Sequence, residues 1–153
     1  MELDFLDYKY YPTLRTRHAE LSGLKHLAFS AKEKILPILT LGEWPRSKGV
    51  ERSIEKSNEA FDSLPFIADL TTTPAYSNNA LMQEMKDHSN AFKNWRKTVL
   101  EYENIIPVVQ FSTSRRDFIQ QALLFESENR KIVFRIKDFS QDTEQVIYAL
   151  SAM

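Results

Sequence analysis

The chain has no cysteine among its 153 residues. That excludes a disulfide framework, thiol catalysis and any cysteine-ligated metal, and it fits a reducing, cytoplasmic setting. Glycine is scarce, with Gly23, Gly42 and Gly49 alone, and none belongs to a G-x-G-x-x-G or Walker-type run. A nucleotide cradled by a glycine-rich loop is therefore disfavoured. No sign of charge dominates: 20 Lys and Arg stand against 21 Asp and Glu. Such a balance provides no global field to gather nucleic acid or an anionic membrane. Apolar runs stay well short of the ~18–20 residues of a membrane span. The acidic start "MELDFLDYKYY" also lacks the apolar stretch of a signal peptide. The expectation is a cytoplasmic protein of one domain, 1–153, with no nucleic-acid or membrane partner.

What the sequence does have is a recurring junction. "EKILPILTL" (33–41), "SLPFIADL" (63–70) and "NIIPVVQF" (104–111) each place a proline within or just before a short apolar run, and "YYPTLR" (10–15) opens with a weaker form. Proline disfavours helix in the residue before it and is tolerated where a strand begins. Each unit thus reads as the passage from a helix into a strand. Strands are expected over 9–15, 35–41, 65–70, 105–111 and 131–136. Three of them are almost continuously apolar, the signature of parallel strands covered on both faces.

Between them lie helical patterns at 19–30, 50–61, 80–103, 114–129 and 142–153. The first puts Leu21, Leu24, Leu27 and Ala28 on one stripe; the longest aligns Met85, His88, Phe92, Trp95, Val99 and Tyr102. Ser114, with Asp117 three residues on, is an N-cap candidate. Strand and helix alternate throughout, so the fold class is α/β with right-handed βαβ crossovers. The repeat length suits TIM-barrel-like (β/α) units, but only about five parallel strands fit, which makes an incomplete barrel.

The ordered blocks "YYPTLRTRHAELSGLKHL", "KEKILPILTL", "LPFIADLT", "NIIPVVQF" and "KIVFRI" resemble the phage "beta protein" family of temperate and satellite phages and bacterial mobile elements. Its opening pattern falls here on Tyr10, Pro12, Leu14, Arg15, Arg17 and Glu20, and a later strand ending in arginine on Arg135. The resemblance implies a barrel-like fold, association with a mobile element, and in one case a place beside a toxic partner gene in a phage-defence cassette. It implies no established reaction. Thr40 stands where members often carry an acidic residue. Members are also about twice as long, so the chain resembles their N-terminal portion.

In (β/α) folds, polar residues at the C-terminal strand ends gather on one face. Those ends supply Arg15, Arg17, Thr40, Glu43, Asp69, Gln110 and Arg135, with Ser112 and Asp138 beside them. Strand alternation aims Arg15, Thr40, Asp69, Gln110 and Arg135 to one side. Arg15 and Arg135 are candidate anion clamps, with Asp69 as a base, a metal ligand or the buried partner of an arginine. Glu43 and Asp69 could share a cation. His18, His26 and His88 have no ligand spacing, and no catalytic residue stands out. "KNWRKT" (93–98) reads as a solvated helix face with Trp95 turned inward. "TTTPAYSNN" (71–79), with an exposed Tyr76, is the candidate recognition loop.

Two functions compete. One, the favoured reading, is a non-enzymatic, antitoxin-like interaction protein that binds a protein partner or itself. The other is a (β/α) enzyme or binder of a small anionic ligand at the strand ends. No cofactor or metal is expected. A five-repeat sheet would leave an open edge at 131–136 and an uncovered inner face at Ile38, Ile67, Val108 and Val133.

Overall fold

The computed structural model describes residues 3–47 and 49–153. Four strands, β1 (Thr13–Arg15), β2 (Ile38–Leu41), β3 (Phe66–Leu70) and β4 (Ile105–Pro107), form a parallel sheet in the order β1-β2-β3-β4. The helices are α1 (His18–Lys25), α2 (Phe29–Lys32), α3 (Glu51–Ala60), α4 (Ala80–Lys86), α5 (Ser89–Leu100), α6 (Arg115–Ser127) and α7 (Asp142–Ala152). None is long and apolar enough to cross a membrane.

The prolines work as their positions suggest. The carbonyl of Pro12 accepts from the Ile38 N–H (2.8 Å), and that of Pro37 from the Ile67 N–H (2.9 Å). Each thus joins the ladder through its C=O and needs no N–H. All five residues of β3 are buried, so this strand has no face toward water. One side of the sheet carries Leu39, Leu41, Ala68 and Leu70 into a core with Leu21, Leu24, Ile54 and Trp95 from the helices. Ser114 caps α6, its hydroxyl accepting from the Asp117 N–H at 3.3 Å.

The expected fifth strand, 131–136, is reduced to one parallel bridge, Val108 to Val133. Val133 donates to Pro107 O (3.0 Å), and Val109 donates to Val133 O (2.9 Å). Toward the N-terminus, the next rung needs a donor at residue 107, and proline has none. The guanidinium of Arg130 instead takes the Ile105 carbonyl at 2.7 Å. Beyond β4, the buried side chain of Gln121 accepts from the Gln110 N–H (2.9 Å) and donates to its carbonyl (3.0 Å). An amide side chain has replaced the strand ladder there.

Two expected helices are broken. The 19–30 pattern ends at Lys25, which leaves Leu27 42% exposed rather than in the core. The 80–103 pattern splits into α4 and α5, because the Asp87 carboxylate accepts from the Ser89 N–H (3.0 Å) and hydroxyl (2.7 Å) in competition with the helix. Asn90, Ala91 and Phe92 follow with φ between 52° and 56°, a left-handed turn that costs about 1–2 kcal/mol per residue. Arg96 holds it, donating to Ala91 O (2.8 Å) and Asn90 O (3.1 Å). The turn buries Phe92 beside Trp95.

The inner face is also not uncovered as expected. Ile67 and Val108 are 2% exposed, and Ile38 and Val133 are half-buried. Leu3, Phe5 and Tyr8 from the start of the chain pack against Leu36, Ile67, Ile106 and Val108. The Asp4 carboxylate caps a short 3-10 turn over Phe5–Asp7 that brings in Phe5, with Tyr8 directly after it. Burial, reinforced by the Asp7 charge, pushes the Tyr8 phenol up.

A Phe5→Ala, Tyr8→Ala double variant therefore uncovers the inner sheet face. The expected result is a loss of about 1–3 kcal/mol in chemical denaturation, with new binding of a hydrophobic dye. Unchanged stability and no dye binding would show that other residues cover the face.

Candidate functional site

The C-terminal strand ends assemble around one carboxylate. Asp69, on β3, is 1% exposed. Its Oδ2 pairs with Arg135 Nη1 at 2.9 Å and Lys137 Nζ at 3.0 Å. Its Oδ1 accepts from the Gln110 amide at 3.0 Å and the Leu70 N–H at 2.9 Å. Arg135 Nη1 also approaches Thr40 Oγ1 at 3.4 Å, and Thr40 is the register partner of Asp69. Burial strips this carboxylate of its water shell, and these four partners take the place of that water.

The cluster floors a cleft of about 390 Å³, whose wall includes Lys86, Phe92, Phe111, Asp138 and Asp142. Burial lowers the Lys86 pKa and the Lys137 charge adds to that effect, while Asp69 opposes it. The acidic side chains on the wall are engaged with nearby backbone. Asp142 accepts from the N–H groups of Lys137 and Asp138, both at 2.9 Å, and Asp138 from the N–H (2.9 Å) and hydroxyl (2.6 Å) of Ser140.

Thr40, Asp69, Gln110 and Arg135 thus converge as the strand alternation implies; the other three candidates do not join them. Arg15 lies on the row of Thr40 and Asp69, but its side chain is 61% exposed and pairs with Glu20 at 3.3 Å. Glu20 starts α1 close enough for its carboxylate also to accept the Arg15 N–H, which turns the guanidinium outward. Arg17 and Glu43 line a second cleft, of about 680 Å³, with Trp44 and Tyr76. The Arg17 guanidinium lies 3.1 Å above the Tyr76 ring, and Glu43 Oε1 accepts from the Asn79 N–H at 3.0 Å. Both residues therefore pin the 71–79 loop to the strand ends. Tyr76 is half-buried beneath Arg17, not exposed as expected.

Glu43 and Asp69 face different clefts, and among the described residues no three His, Asp or Glu side chains converge to hold a metal. His88 pairs with Asp117 at 3.1 Å, away from both clefts. Trp95 is fully buried, its indole N–H donating to Val108 O at 3.2 Å. Sequence reasoning missed Lys86 and Lys137. Lys137 could have been found by extending the Val133–Arg135 alternation one step; Lys86, at the end of α4, depends on the break between α4 and α5.

The Beta protein family model matches residues 10–153. The chain belongs to the Beta protein family. It is 41% identical over 155 residues to "Protein beta" of Enterobacteria phage P4, an alignment that covers all of this chain and 43% of that protein, its N-terminal portion. The chain thus spans less than half the length of that curated relative. No solved structure matches it. In this Beta protein chain, Arg135 is the residue that closes over Asp69.

The unequal roles of the pair give a test. Asp69→Ala leaves Arg135 and Lys137 without their carboxylate. These side chains keep 29% and 41% of their exposure, so a loss of about 2–3 kcal/mol is expected, below the ~3–5 of a fully enclosed pair. Arg135→Ala should cost less, because Lys137 still compensates Asp69. Chemical denaturation of both variants checks the order, and a reversed order would make Arg135 the structural centre.

Proposed function

We propose that this chain is a protein-binding (β/α) module of a mobile element, whose exposed α7 face takes a partner protein. The observation that carries the reading is α7. Residues 146–150 of that helix read Val-Ile-Tyr-Ala-Leu, apolar around more than a full turn. Helices apolar on every side belong in an interior. Here Val146 and Ala149 pack on Phe118 and Ala122 of α6, whereas Ile147 and Leu150 are each 57% exposed, with Met153 45% and Phe139 79%.

Two polar atoms of the same helix, Thr143 Oγ1 and Gln145 Oε1, are out of water with no hydrogen-bond partner. Beside α7, segment 131–136 has one rung of strand pairing. A helix and strand that end a sheet in this way suit a further polypeptide docked against both. Restraint of a toxic partner, in the manner of an antitoxin within a phage-defence cassette, is the biological role that the family resemblance suggests.

Ile147→Lys together with Leu150→Lys places two charges on the exposed stripe without touching the α6 contact. In a pull-down from the host, with native mass measured alongside, the wild type is expected to hold a stoichiometric partner that the variant loses at unchanged melting temperature. A partner retained by the variant would overturn the assignment of this face. A homodimer abolished by the variant would replace the partner with a second copy.

A second reading rests on a different observation. The convergence of Arg135, Lys137 and Gln110 on Asp69 beneath an open cleft favours a small anionic ligand at the strand ends, bound or turned over there.

A further inference from the structure

We infer that the cleft over Asp69 binds the phosphate group of a small organic phosphate, held by Lys86, Lys137 and Arg135, with Asp69 as the positioning residue beneath them. This inference rests on the anionic-ligand reading and names the class of ligand.

Charge is the first argument. Arg135 and Lys137 share the single carboxylate of Asp69. Lys86 stands on the same wall, close enough to feel both Lys137 and Asp69, and pairs with no carboxylate among the described residues. Three cations thus stand against one buried carboxylate, with Asp138 and Asp142 balancing the charge of the cleft lining as a whole. Asp138 and Asp142 also line the cleft, but their carboxylates are held by the backbone at residues 137, 138 and 140.

Donor geometry is the second argument. Arg135 engages protein through Nη1, and Nη2 and Nε have no acceptor among the described residues. Asp69 Oδ2 holds the guanidinium from below, and the Gln110 amide steadies that carboxylate through Oδ1. A lone carboxylate would be satisfied by that fork. Two further ammonium groups, each a point charge with three donors, suit the additional oxygens and second charge of a phosphate dianion.

Size and shape are the third. About 390 Å³ lies near the lower end of small-molecule sites, roughly 300–1,000 Å³. One wall is Phe111, stacked on Phe118 at 4.7 Å, which offers an apolar surface to the carbon portion of the ligand. A free inorganic ion would leave that wall uncovered.

The test is calorimetric titration of the whole chain at low salt with pyrophosphate, phenyl phosphate and succinate. Lys86→Gln is the chief variant, because Lys86 holds no structural ion pair. Lys137→Gln is added with its melting temperature recorded, and Lys93→Gln, on α5 away from the cleft, is the control. The inference expects phenyl phosphate to bind and each cleft variant to weaken it roughly 10- to 100-fold, the loss of one charge-assisted hydrogen bond, with Lys93→Gln unchanged.

If succinate binds in a Lys86-dependent manner and the phosphates do not, the anionic-ligand reading stands and the phosphate assignment falls. If none of the three binds, both fall. Phosphate binding that ignores Lys86→Gln and Lys137→Gln lies elsewhere on the molecule and also overturns the inference. Binding of a short oligonucleotide in preference to phenyl phosphate would replace the small molecule with a nucleic-acid strand.

Discussion

A strand buried on both faces is the constraint on which this structure depends. β3 has neighbours on either side and no residue open to solvent. Helices supply cover on one face, through Ile54 and Trp95 among others, and the start of the chain supplies it on the other, through Leu3, Phe5 and Tyr8. The only charge on β3 is Asp69, and burial there demands compensation. Arg135 and Lys137, more than sixty residues later, answer that demand. The same requirement thus places the segment after α6 beside β4 even though it forms just one strand rung.

The basic residues illustrate how local chemistry divides a set that looks uniform in sequence. Arg130 gathers the Tyr102 and Ile105 carbonyls at 2.6 and 2.7 Å and so closes the end of α5. Arg96 holds the left-handed turn that opens α5, and the buried Lys32 donates to Ala60 O at 2.9 Å and pairs with Asp62 at 2.7 Å. Arg17 lies on Tyr76. With those groups engaged in structure, the cations that face a cleft over a buried acid are Lys86, Arg135 and Lys137. Three cations of a near-neutral chain thus meet at one cleft.

The two proposed activities occupy different parts of the molecule, yet they share a boundary. Asp142, the first residue of α7, accepts from the backbone of Lys137 and Asp138, which belong to the wall of the Asp69 cleft. The apolar stripe of α7 begins one turn later at Val146 and Ile147. A protein that covers the stripe would rest beside the cleft mouth. This adjacency gives a physical route by which a bound ligand and a bound partner could influence one another, through the single turn of helix between them.

Much of this was decided by sequence alone, because it depends on neighbours along the chain. Prolines ahead of apolar runs set the starts of β1, β2 and β3, continuous apolarity marked the parallel sheet, and period-two alternation aimed Thr40, Asp69, Gln110 and Arg135 to one side. Helix periodicity likewise placed Leu21, Leu24, Trp95 and Val99 in the core, where each is buried. Tertiary structure decided whatever rests on competition between distant groups. The Glu20 carboxylate drew Arg15 away from the strand-end cluster, and the missing N–H of Pro107 together with Arg130 cut the fifth strand to one bridge. Asp87 and Ser89 broke a helix that periodicity would continue, which brought Lys86 to the cleft. Only the folded chain could bring Phe5 and Tyr8 across the sheet to Ile67 and Val108, because a contact between residues so far apart in sequence leaves no periodic trace in either segment.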